Sequence, residues 1–214
     1  MALFISIEGG EGSGKSTLGE HLAQRMRENH IDLVHTFEPG DTQLGTELRR
    51  LLFQAQQAGY ETVSPWTETF LFLADRSHHV ETVIRPALAR GAVVLCDRFI
   101  DSTIAYQAYG RRLPLDKIRE MNQQATDGLL PNITLFLDVA VQDGLRRAHP
   151  EEQDRIGRET IDFHARVLEG YKRQAMAEPE RIKTIDAAQP IETVVQESWS
   201  LIAPRLVRQG YALS

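Results

Sequence analysis

Residues 9–16 read Gly9-Gly10-Glu11-Gly12-Ser13-Gly14-Lys15-Ser16 and match every fixed position of the phosphate-binding pattern G-x-x-x-x-G-K-[ST]. The apolar run before them, Leu3–Ile7, is typical of a buried strand. After them, Leu18, Leu22 and Met26 recur every four residues, which predicts a helix. Strand, loop and helix in this order are the setting in which the pattern binds phosphate.

The residue types of this loop suit the binding of phosphate groups. Glycines let backbone N–H groups turn inward because no Cβ stands in the way, and the N-terminus of the next helix also attracts phosphate oxygens. Lys15 adds a positive charge against the β- and γ-phosphates of a nucleotide, and the Ser16 hydroxyl can reach a magnesium ion. The alternative is a glycine-rich turn that binds no ligand.

Length and composition limit the class of protein. The chain has 214 residues, of which 42% are hydrophobic, and a formal net charge of −6. This length suggests one large domain or two small ones, and the excess of acids argues against non-specific binding of nucleic acid. No window approaches a membrane span, and no basic leader precedes the first strand. The single cysteine, Cys96, cannot form an internal disulfide, which fits a cytoplasmic protein.

Apolar, β-prone runs alternate along the chain with segments of helical periodicity. Strands are predicted at Leu3–Glu8, Leu33–Phe37, Val93–Asp97, Ile133–Asp138 and Ile182–Asp186. Helices are predicted near Ser16–Asn29, Gln43–Gln56, Pro65–Arg90, Leu115–Asp127, Val141–Ala148, Glu159–Ala177 and Ile191–Gln209. Strands that alternate with helices predict an α/β fold in which a parallel sheet carries helices on both faces.

Several of the predicted strands end in an acid, among them the strands that end at Asp97 and Asp138. Ligands of open parallel sheets bind beyond the carboxyl ends of the strands, so both acids should lie on the side of the phosphate loop. Either could hold magnesium directly or through water. For Asp138 the alternative is a cap on the helix that begins near Val141. For Asp97, which precedes Arg98, the alternative is a structural salt bridge.

Two other segments carry side chains suited to a nucleobase. Phe72 and Arg76 are four residues apart on one helix face, so an aromatic ring lies beside a hydrogen-bond donor. From spacing alone, a core phenylalanine with a surface arginine is the better interpretation. The stretch Asp101–Gln107 is rich in hydroxyl groups and ends in an amide, which can both donate to and accept from a base edge.

A polar stretch at residues 149–154 is flanked by four arginines, Arg146, Arg147, Arg155 and Arg158. Phosphoryl transfer needs positive side chains close to the negatively charged group that is transferred. A mobile segment that also excludes water is best suited to bring them there. The alternative is a solvated loop of mixed charge.

Taken together, these segments resemble thymidylate kinases of the bacterial type over nearly the whole chain. The resemblance rests on the order and spacing of Ile7–Thr17, Glu38-Pro39-Gly40, Ala74-Asp75-Arg76, Asp97-Arg98-Phe99, Ser102-Thr103 with Ala105-Tyr106-Gln107, Asp154-Arg155-Ile156 and Ile185-Asp186-Ala187. This set is far more specific than the phosphate loop alone.

The resemblance implies a fold, a reaction and an assembly. The expected fold is a three-layer α/β/α P-loop NTPase with a five-stranded parallel sheet, as one kinase domain over residues 1–214 with a short lid at about 146–158. The expected reaction moves the γ-phosphoryl of ATP to dTMP with Mg²⁺, giving dTDP and ADP. Members are typically homodimers, and neither nucleic acid nor membrane is an expected partner.

The family's site residues carry over by motif as expectations. Catalytic roles would fall to Lys15, Asp97, Arg98 and Arg155, the last on the transferring phosphoryl, and Ser16 and Asp97 would lie at the metal. ATP would contact Gly9, Gly10, Glu11, Gly12, Ser13, Gly14, Lys15, Ser16 and Thr17, with Arg147 near adenine. dTMP would contact Glu11 through its 3′-hydroxyl, Phe72 by stacking, Arg76 and Gln107 at the base edge, Arg98 at the phosphate, Tyr106 near C2′, and Ser102.

Two departures from the family pattern make the expected site less positive. Bacterial members commonly read T-R-E-P-G-G-T, whereas this chain has Phe37 in place of the arginine and Asp41 in place of the second glycine. The lid reads His149-Pro150-Glu151-Glu152 where basic residues are common. These changes bear on acceptor affinity, acceptor identity and turnover.

Three alternative functions remain open at this point. The same chemistry could act on another acceptor, such as dUMP or a modified deoxynucleotide. A P-loop switch or regulatory NTPase would have no acceptor nucleotide, although the guanine-reading N-K-x-D of a GTPase is absent from the sequence. A binding protein that has lost catalysis would explain the lid but not the intact Lys15, Ser16 and Asp97-Arg98.

Overall fold

Five parallel strands form one sheet in the part of the chain that the computed structural model describes, residues 2–54, 63–148 and 155–213. They are β1 (Phe4–Gly9), β2 (Leu33–Phe37), β3 (Val93–Asp97), β4 (Ile133–Asp138) and β5 (Ile182–Asp186), in the order β2-β3-β1-β4-β5. All four pairings are parallel. The predicted α/β class is therefore confirmed, and of the predicted strands only β1 differs, by one residue at each end.

Helices connect these strands. They are α1 (Lys15–Glu28), α2 (Gln43–Gln54), α3 (Pro65–His79), α4 (Arg85–Ala89), α5 (Ile100–Thr103), α6 (Leu115–Thr126), α7 (Val141–Arg147), α8 (Ile161–Ala177) and α9 (Ile191–Arg208). Polar side chains define two of the N-termini, because Ser64 accepts from the backbone N–H of Thr67 and Thr160 from that of Phe163. No helix in the described residues is long and apolar enough to cross a membrane.

Successive strand residues point to opposite faces of the sheet, and helices cover both faces. Ile5, Ile7 and Leu95 belong to a buried cluster with apolar residues of α1 and α9. Phe4 and Cys96 pack instead with the region around α4 and α5, and further along that face β4 packs against α8. The result is the expected three layers, with the carboxyl ends of β1 and β3 side by side.

One buried helical segment was not predicted from the sequence. α5 continues directly into a π-helical segment at Ile104–Gly110, and nearly all of its side chains are buried. Its β-branched residues and small hydroxyls have low helix propensity, so tertiary burial rather than local preference stabilises it. π-helical turns are frequent at functional sites, and Tyr106 and Gln107 lie in this one.

The helix predicted at Pro65–Arg90 is also interrupted. A π-helical turn at Val80–Ile84 separates α3 from α4, and the Arg85 N–H bonds to the Val80 carbonyl. Pro86 follows immediately and has no N–H to continue an ordinary α-helical ladder. The end of the helix predicted to reach Gln56, and lid residues 149–154, lie outside the described residues.

Candidate active site

The phosphate loop joins β1 to α1 and lies in close contact with α7. Gly12 has φ 63°, and a Cβ placed on it would lie 1.9 Å from the carbonyl oxygen of Gly144. A Cβ on Gly144 would in turn lie 2.4 Å from the carbonyl oxygen of Glu11. The loop and the helix that leads to the lid therefore meet backbone to backbone, at two positions where only glycine fits.

Lys15 is buried inside the loop. Its ammonium donates to the Gly10 carbonyl at 2.8 Å and to Ser13 Oγ at 3.3 Å. Burial, and then the charge of Arg98, lower the pKa of Lys15 to about 8. A phosphate group at the loop would oppose both effects, because its negative charge favours the ammonium form.

Ser16 and Asp97 form the candidate metal position. Ser16 Oγ donates to Asp97 Oδ2 at 2.9 Å, which brings the first turn of α1 to the carboxyl end of β3. The other carboxylate oxygen, Oδ1, is buried without a hydrogen-bond partner in the described part of the chain. An orphaned carboxylate oxygen beside a hydroxyl suits a hard cation that prefers oxygen ligands, so these two residues fit Mg²⁺.

Asp138, the other acid considered for magnesium, has a different partner. Its carboxylate forms an ion pair with Lys172 at 3.1 Å. The residue that precedes α7 is Ala140, with no side-chain cap, so Asp138 does not cap that helix either. The capping interpretation of Asp138 was therefore wrong, whereas its role at magnesium stays a prediction.

Arg98 is held at the base of the loop by a polar cluster. It has φ 69°, and its guanidinium donates to the Gly9 carbonyl at 3.3 Å, to Ser102 Oγ at 3.2 Å and to the Tyr106 hydroxyl at 3.3 Å. The guanidinium also lies 5.0 Å from the centre of the Tyr106 ring. Arg98 thus contacts two other residues predicted for the acceptor, Ser102 and Tyr106.

Glu8, which was not predicted from the sequence, is buried next to this cluster and holds it together through hydrogen bonds. Its carboxylate accepts from the Phe99 N–H at 2.7 Å, from Ser102 Oγ at 2.5 Å and from the Tyr171 hydroxyl at 3.1 Å. Burial, and then the nearby charge of Asp101, raise the pKa of Glu8 to about 7. An acid near the end of a mostly apolar strand was the available signal.

A cavity of about 630 Å³ extends from the phosphate loop to Phe72 and Arg76 of α3. Most residues predicted for the two nucleotides line it, namely Glu11, Gly12, Gly14, Lys15, Ser16, Thr17, Phe72, Arg76, Asp97, Arg98, Ser102, Tyr106, Gln107 and Arg147. The predicted residues Gly9, Gly10, Ser13 and Arg155 are not among its lining residues.

Arg76 is buried, with 2% of its surface exposed, so the surface arginine favoured by spacing alone was wrong. Its Nε donates to Glu38 at 2.8 Å and its Nη2 to the Phe99 carbonyl at 2.9 Å. Nη1 donates to both Thr103 at 2.5 Å and Asn122 at 2.6 Å. Among the described residues these partners account for four of the five guanidinium N–H groups, which leaves one on Nη2 for a ligand.

A chain of hydrogen bonds leads from Glu38 away from the cavity to Asp41. Glu38 Oε1 lies 2.9 Å from His79 Nδ1, and His79 Nε2 lies 2.6 Å from the Thr36 hydroxyl. That hydroxyl donates to the Asp41 carboxylate. Asp41 is exposed and does not line the cavity, whereas Phe37 does. Of the two departures in this turn, only Phe37 therefore changes the cavity wall.

Arg155 is directed toward α3 and α2. Its Nη2 is ion-paired with Glu68, and its Nε donates to the Leu52 carbonyl at 3.3 Å. Arg147, at the other end of the lid, donates to the Ala187 carbonyl at 2.7 Å, which ties it to the segment Ile185-Asp186-Ala187.

Arg49 lines the same cavity and was missed. It donates to the Pro39 carbonyl at 2.8 Å, and its guanidinium lies 5.0 Å from the centre of the Phe53 ring. Nothing in the local sequence distinguishes it from its neighbour Arg50, which pairs with Glu47. Only the packing of α2 against the cavity identifies it.

Comparison with known proteins places this geometry in one family. The family model described as thymidylate kinase matches residues 7–198. The thymidylate kinase of Synechococcus sp. (strain JA-2-3B'a(2-13)) is 47% identical over 204 residues, which cover 95% of this chain and 96% of the relative. That of Desulfovibrio desulfuricans is 46% identical over 219 residues, covering 99% of this chain and all of the relative, 100%.

A solved structure agrees with these sequence matches. The crystal structure of thymidylate kinase from Ehrlichia chaffeensis is similar with a TM-score of 0.78 and 33% identity, covering 94% of this chain and 98% of that one. Sequence and fold therefore lead to the same conclusion: the chain belongs to the thymidylate kinase family.

Proposed function

We propose that this protein transfers the γ-phosphoryl group of ATP to dTMP, giving dTDP and ADP. The observation that carries the proposal is the continuous cavity that joins the phosphate loop to the pocket of Phe72, Arg76 and Gln107, with Arg98 between them. Two nucleotides bound end to end in such a cavity would have their phosphates at Arg98, and holding them in line supplies most of the rate in phosphoryl transfer.

On the donor side, the backbone of residues 9–17 would hold the ATP phosphates, and Lys15 would exchange its bond to Gly10 for a phosphate oxygen. Arg147 would lie along the adenine, since it is fixed to Ala187 and lines the cavity. Ser16 and Asp97 would hold Mg²⁺, which would neutralise charge between the phosphates when bound. Arg155 would reach the transferring phosphoryl only after leaving Glu68.

On the acceptor side, Phe72 would stack on the base and the free N–H of Arg76 would donate to a base carbonyl. Gln107 would contact the same edge. Arg98, with Arg49 of the same cavity lining, would bind the acceptor phosphate through charge-assisted hydrogen bonds. Tyr106 would crowd the 2′ position, Glu11 would contact the 3′-hydroxyl, and Ser102 would support Arg98.

We also propose a cytoplasmic homodimer. Phe70 on α3 is 57% exposed, and Ala74 and Ser77, four and seven residues further along, are exposed as well. These residues share one face of the helix, and an apolar side chain flanked by small ones suits the close packing of a second copy. Sedimentation at micromolar concentration tests this, and Phe70→Glu should give a monomer.

The reaction is tested by coupled ADP release with ATP and Mg²⁺ against dTMP, dUMP, UMP, dCMP, dGMP and AMP. A clear preference for dTMP is expected, because Phe72, Arg76 and Gln107 present one aromatic face, one donor and one amide to a base. ADP release that does not depend on any acceptor would instead identify a P-loop hydrolase. A preference for dUMP would keep the chemistry and change the acceptor.

A further inference from the structure

Glu68 of α3 is completely buried at the base-binding end of the cavity, with all four of its carboxylate lone-pair positions occupied. Oε1 accepts from Gln107 Nε2 at 2.9 Å and from Arg111 Nε at 3.0 Å. Oε2 accepts from Arg111 Nη2 at 3.0 Å and from Arg155. Burial alone would raise the pKa of Glu68, but the hydrogen bonds and charge of Arg111, together with Arg155 and Gln107, hold it below its usual value.

An ionised carboxylate can only accept hydrogen bonds, and this decides which way the Gln107 amide faces. A glutamine amide has two ends of nearly equal shape, a carbonyl that accepts and an NH₂ that donates. The end that faces Glu68 must be the NH₂. Within the described ranges the carbonyl Oε1 has no hydrogen-bond partner, and Gln107 lines the cavity. The ligand therefore meets a fixed acceptor at this position.

We propose that Glu68 is a positioning residue for base selection: by fixing the Gln107 amide it selects an acceptor base whose ring N3 carries a proton over one whose N3 has a lone pair. The inference rests on the proposed function, and it names a residue that does not touch the substrate.

The chemistry of pyrimidines explains the selection. Thymine presents a carbonyl at C4 and an N–H at N3, so the free N–H of Arg76 and the carbonyl of Gln107 are both satisfied. Cytosine presents an amino group at C4 and an unprotonated nitrogen at N3. Its amino group would then face the N–H of Arg76, donor against donor, and its N3 would face the carbonyl of Gln107, acceptor against acceptor. Buried polar groups left unpaired carry a large penalty, and sites built this way reject the mismatched ligand strongly.

The probe is 5-methyl-dCMP, which differs from dTMP only at this edge. We expect the wild-type enzyme to prefer dTMP in kcat/KM by about 10²-fold or more. Glu68→Gln should lower that ratio by about tenfold or more, because the amide introduced by this substitution can present either a carbonyl or an NH₂ and so allows the Gln107 amide to turn. A purely structural defect would lower kcat/KM for both substrates and leave their ratio unchanged.

Glu159→Gln is the matched control. Glu159 pairs with the other side of Arg111 and is not bonded to Gln107, so this variant disturbs the same ion-pair group and should keep the wild-type ratio. If thermal melting shows that Glu68→Gln does not fold, Glu68→Asp takes its place. This substitution keeps a carboxylate for the ion pairs with Arg111 and Arg155. Because the side chain is one methylene shorter, the carboxylate lies further from the Gln107 amide.

The outcomes separate the two proposals. Wild-type enzyme that phosphorylates no dTMP would overturn the proposed function. Wild-type enzyme that phosphorylates dTMP but favours it over 5-methyl-dCMP by less than tenfold would overturn this inference alone. A folded Glu68→Gln or Glu68→Asp variant whose ratio stays within twofold of wild type would also overturn it.

Discussion

Gly12 of the phosphate loop and Gly144 of α7 pack backbone against backbone, so a side chain at either position would force the two segments apart. Gly144→Ala should weaken ATP binding by about tenfold or more, because its Cβ would lie 2.4 Å from the Glu11 carbonyl and would displace the loop. Isothermal titration with ATP and Mg²⁺ measures the effect.

The neighbouring variant Asp143→Ala is the control for Gly144→Ala. Asp143 lies on the same helix and pairs with the exposed Arg146, so its loss should leave ATP affinity unchanged. Equal affinities for wild type and Gly144→Ala would show that the loop accommodates the methyl group.

The pKa of Lys15 predicts a pH dependence of nucleotide binding. Burial and the charge of Arg98 lower this pKa to about 8 in the free enzyme, whereas a bound phosphate favours the charged ammonium. Above pH 8, nucleotide binding therefore requires Lys15 to take up a proton. The dissociation constant for ADP should therefore rise as pH increases from 8 to 9.5, by up to about tenfold per unit. A flat profile, measured by calorimetry in buffers of different ionisation enthalpy, would contradict this.

The raised pKa of Glu8 predicts that the stability of the fold depends on pH. Its pKa is about 7 in the folded protein, against 4.5 ordinarily, through burial and then Asp101, while Ser102 and Arg98 oppose the shift. Between these values the folded chain binds more protons than the unfolded chain, so the free energy of unfolding falls as pH rises. The loss from this one group is on the order of 3 kcal/mol.

Glu8→Gln removes this titration. The difference in unfolding free energy between wild type and Glu8→Gln should therefore shift against the wild type as pH rises from 4.5 to 7. Urea denaturation of both proteins at pH 5 and pH 7.5 measures it. A difference that does not vary with pH would mean that Glu8 titrates normally.

Arg155→Ala should reduce kcat far more than it weakens the binding of either nucleotide. An arginine aimed at the transferring phosphoryl contributes roughly 10³-fold or more in related phosphoryl transfer enzymes. Arg158→Ala, three residues on and exposed, serves as the control for loss of lid charge. An unchanged turnover number for Arg155→Ala would show that Arg155 has no catalytic role and serves only in its ion pair with Glu68.

The two departures at residues 37 and 41 should behave differently. Phe37 lines the cavity, so Phe37→Arg adds positive charge there and should lower the KM for dTMP severalfold, with an effect that weakens at high salt. Asp41 faces Thr36 outside the cavity, so Asp41→Gly should change that KM by no more than about twofold. Steady-state kinetics at two salt concentrations decide between these expectations.

The sequence predicted the parts of this site that depend on local chemistry. The phosphate loop follows from residue types at fixed spacing, and the sheet follows from alternating apolar runs. The burial of Arg76 did not follow from spacing, because its partners Glu38, Thr103 and Asn122 are 27 to 46 residues away in the chain.

The contacts of Glu8 escaped prediction for the same reason, since Tyr171 is 163 residues away. The helical segment that carries Tyr106 and Gln107 escaped because tertiary burial overrides the low propensity of its residues. Residues that bind through a motif can thus be read from the chain, whereas residues that hold others in place become visible only once the chain is folded.

The bond from Lys15 to the Gly10 carbonyl also bears on the thermodynamics of the first binding step. Because the ammonium already has a partner within the loop, an arriving phosphate replaces an existing hydrogen bond and does not add one. The lysine is held in the binding geometry beforehand, so little side-chain entropy is lost when the nucleotide arrives. In the free protein the Gly10 carbonyl therefore takes the place of a phosphate oxygen, and ATP binds to a loop that is already formed.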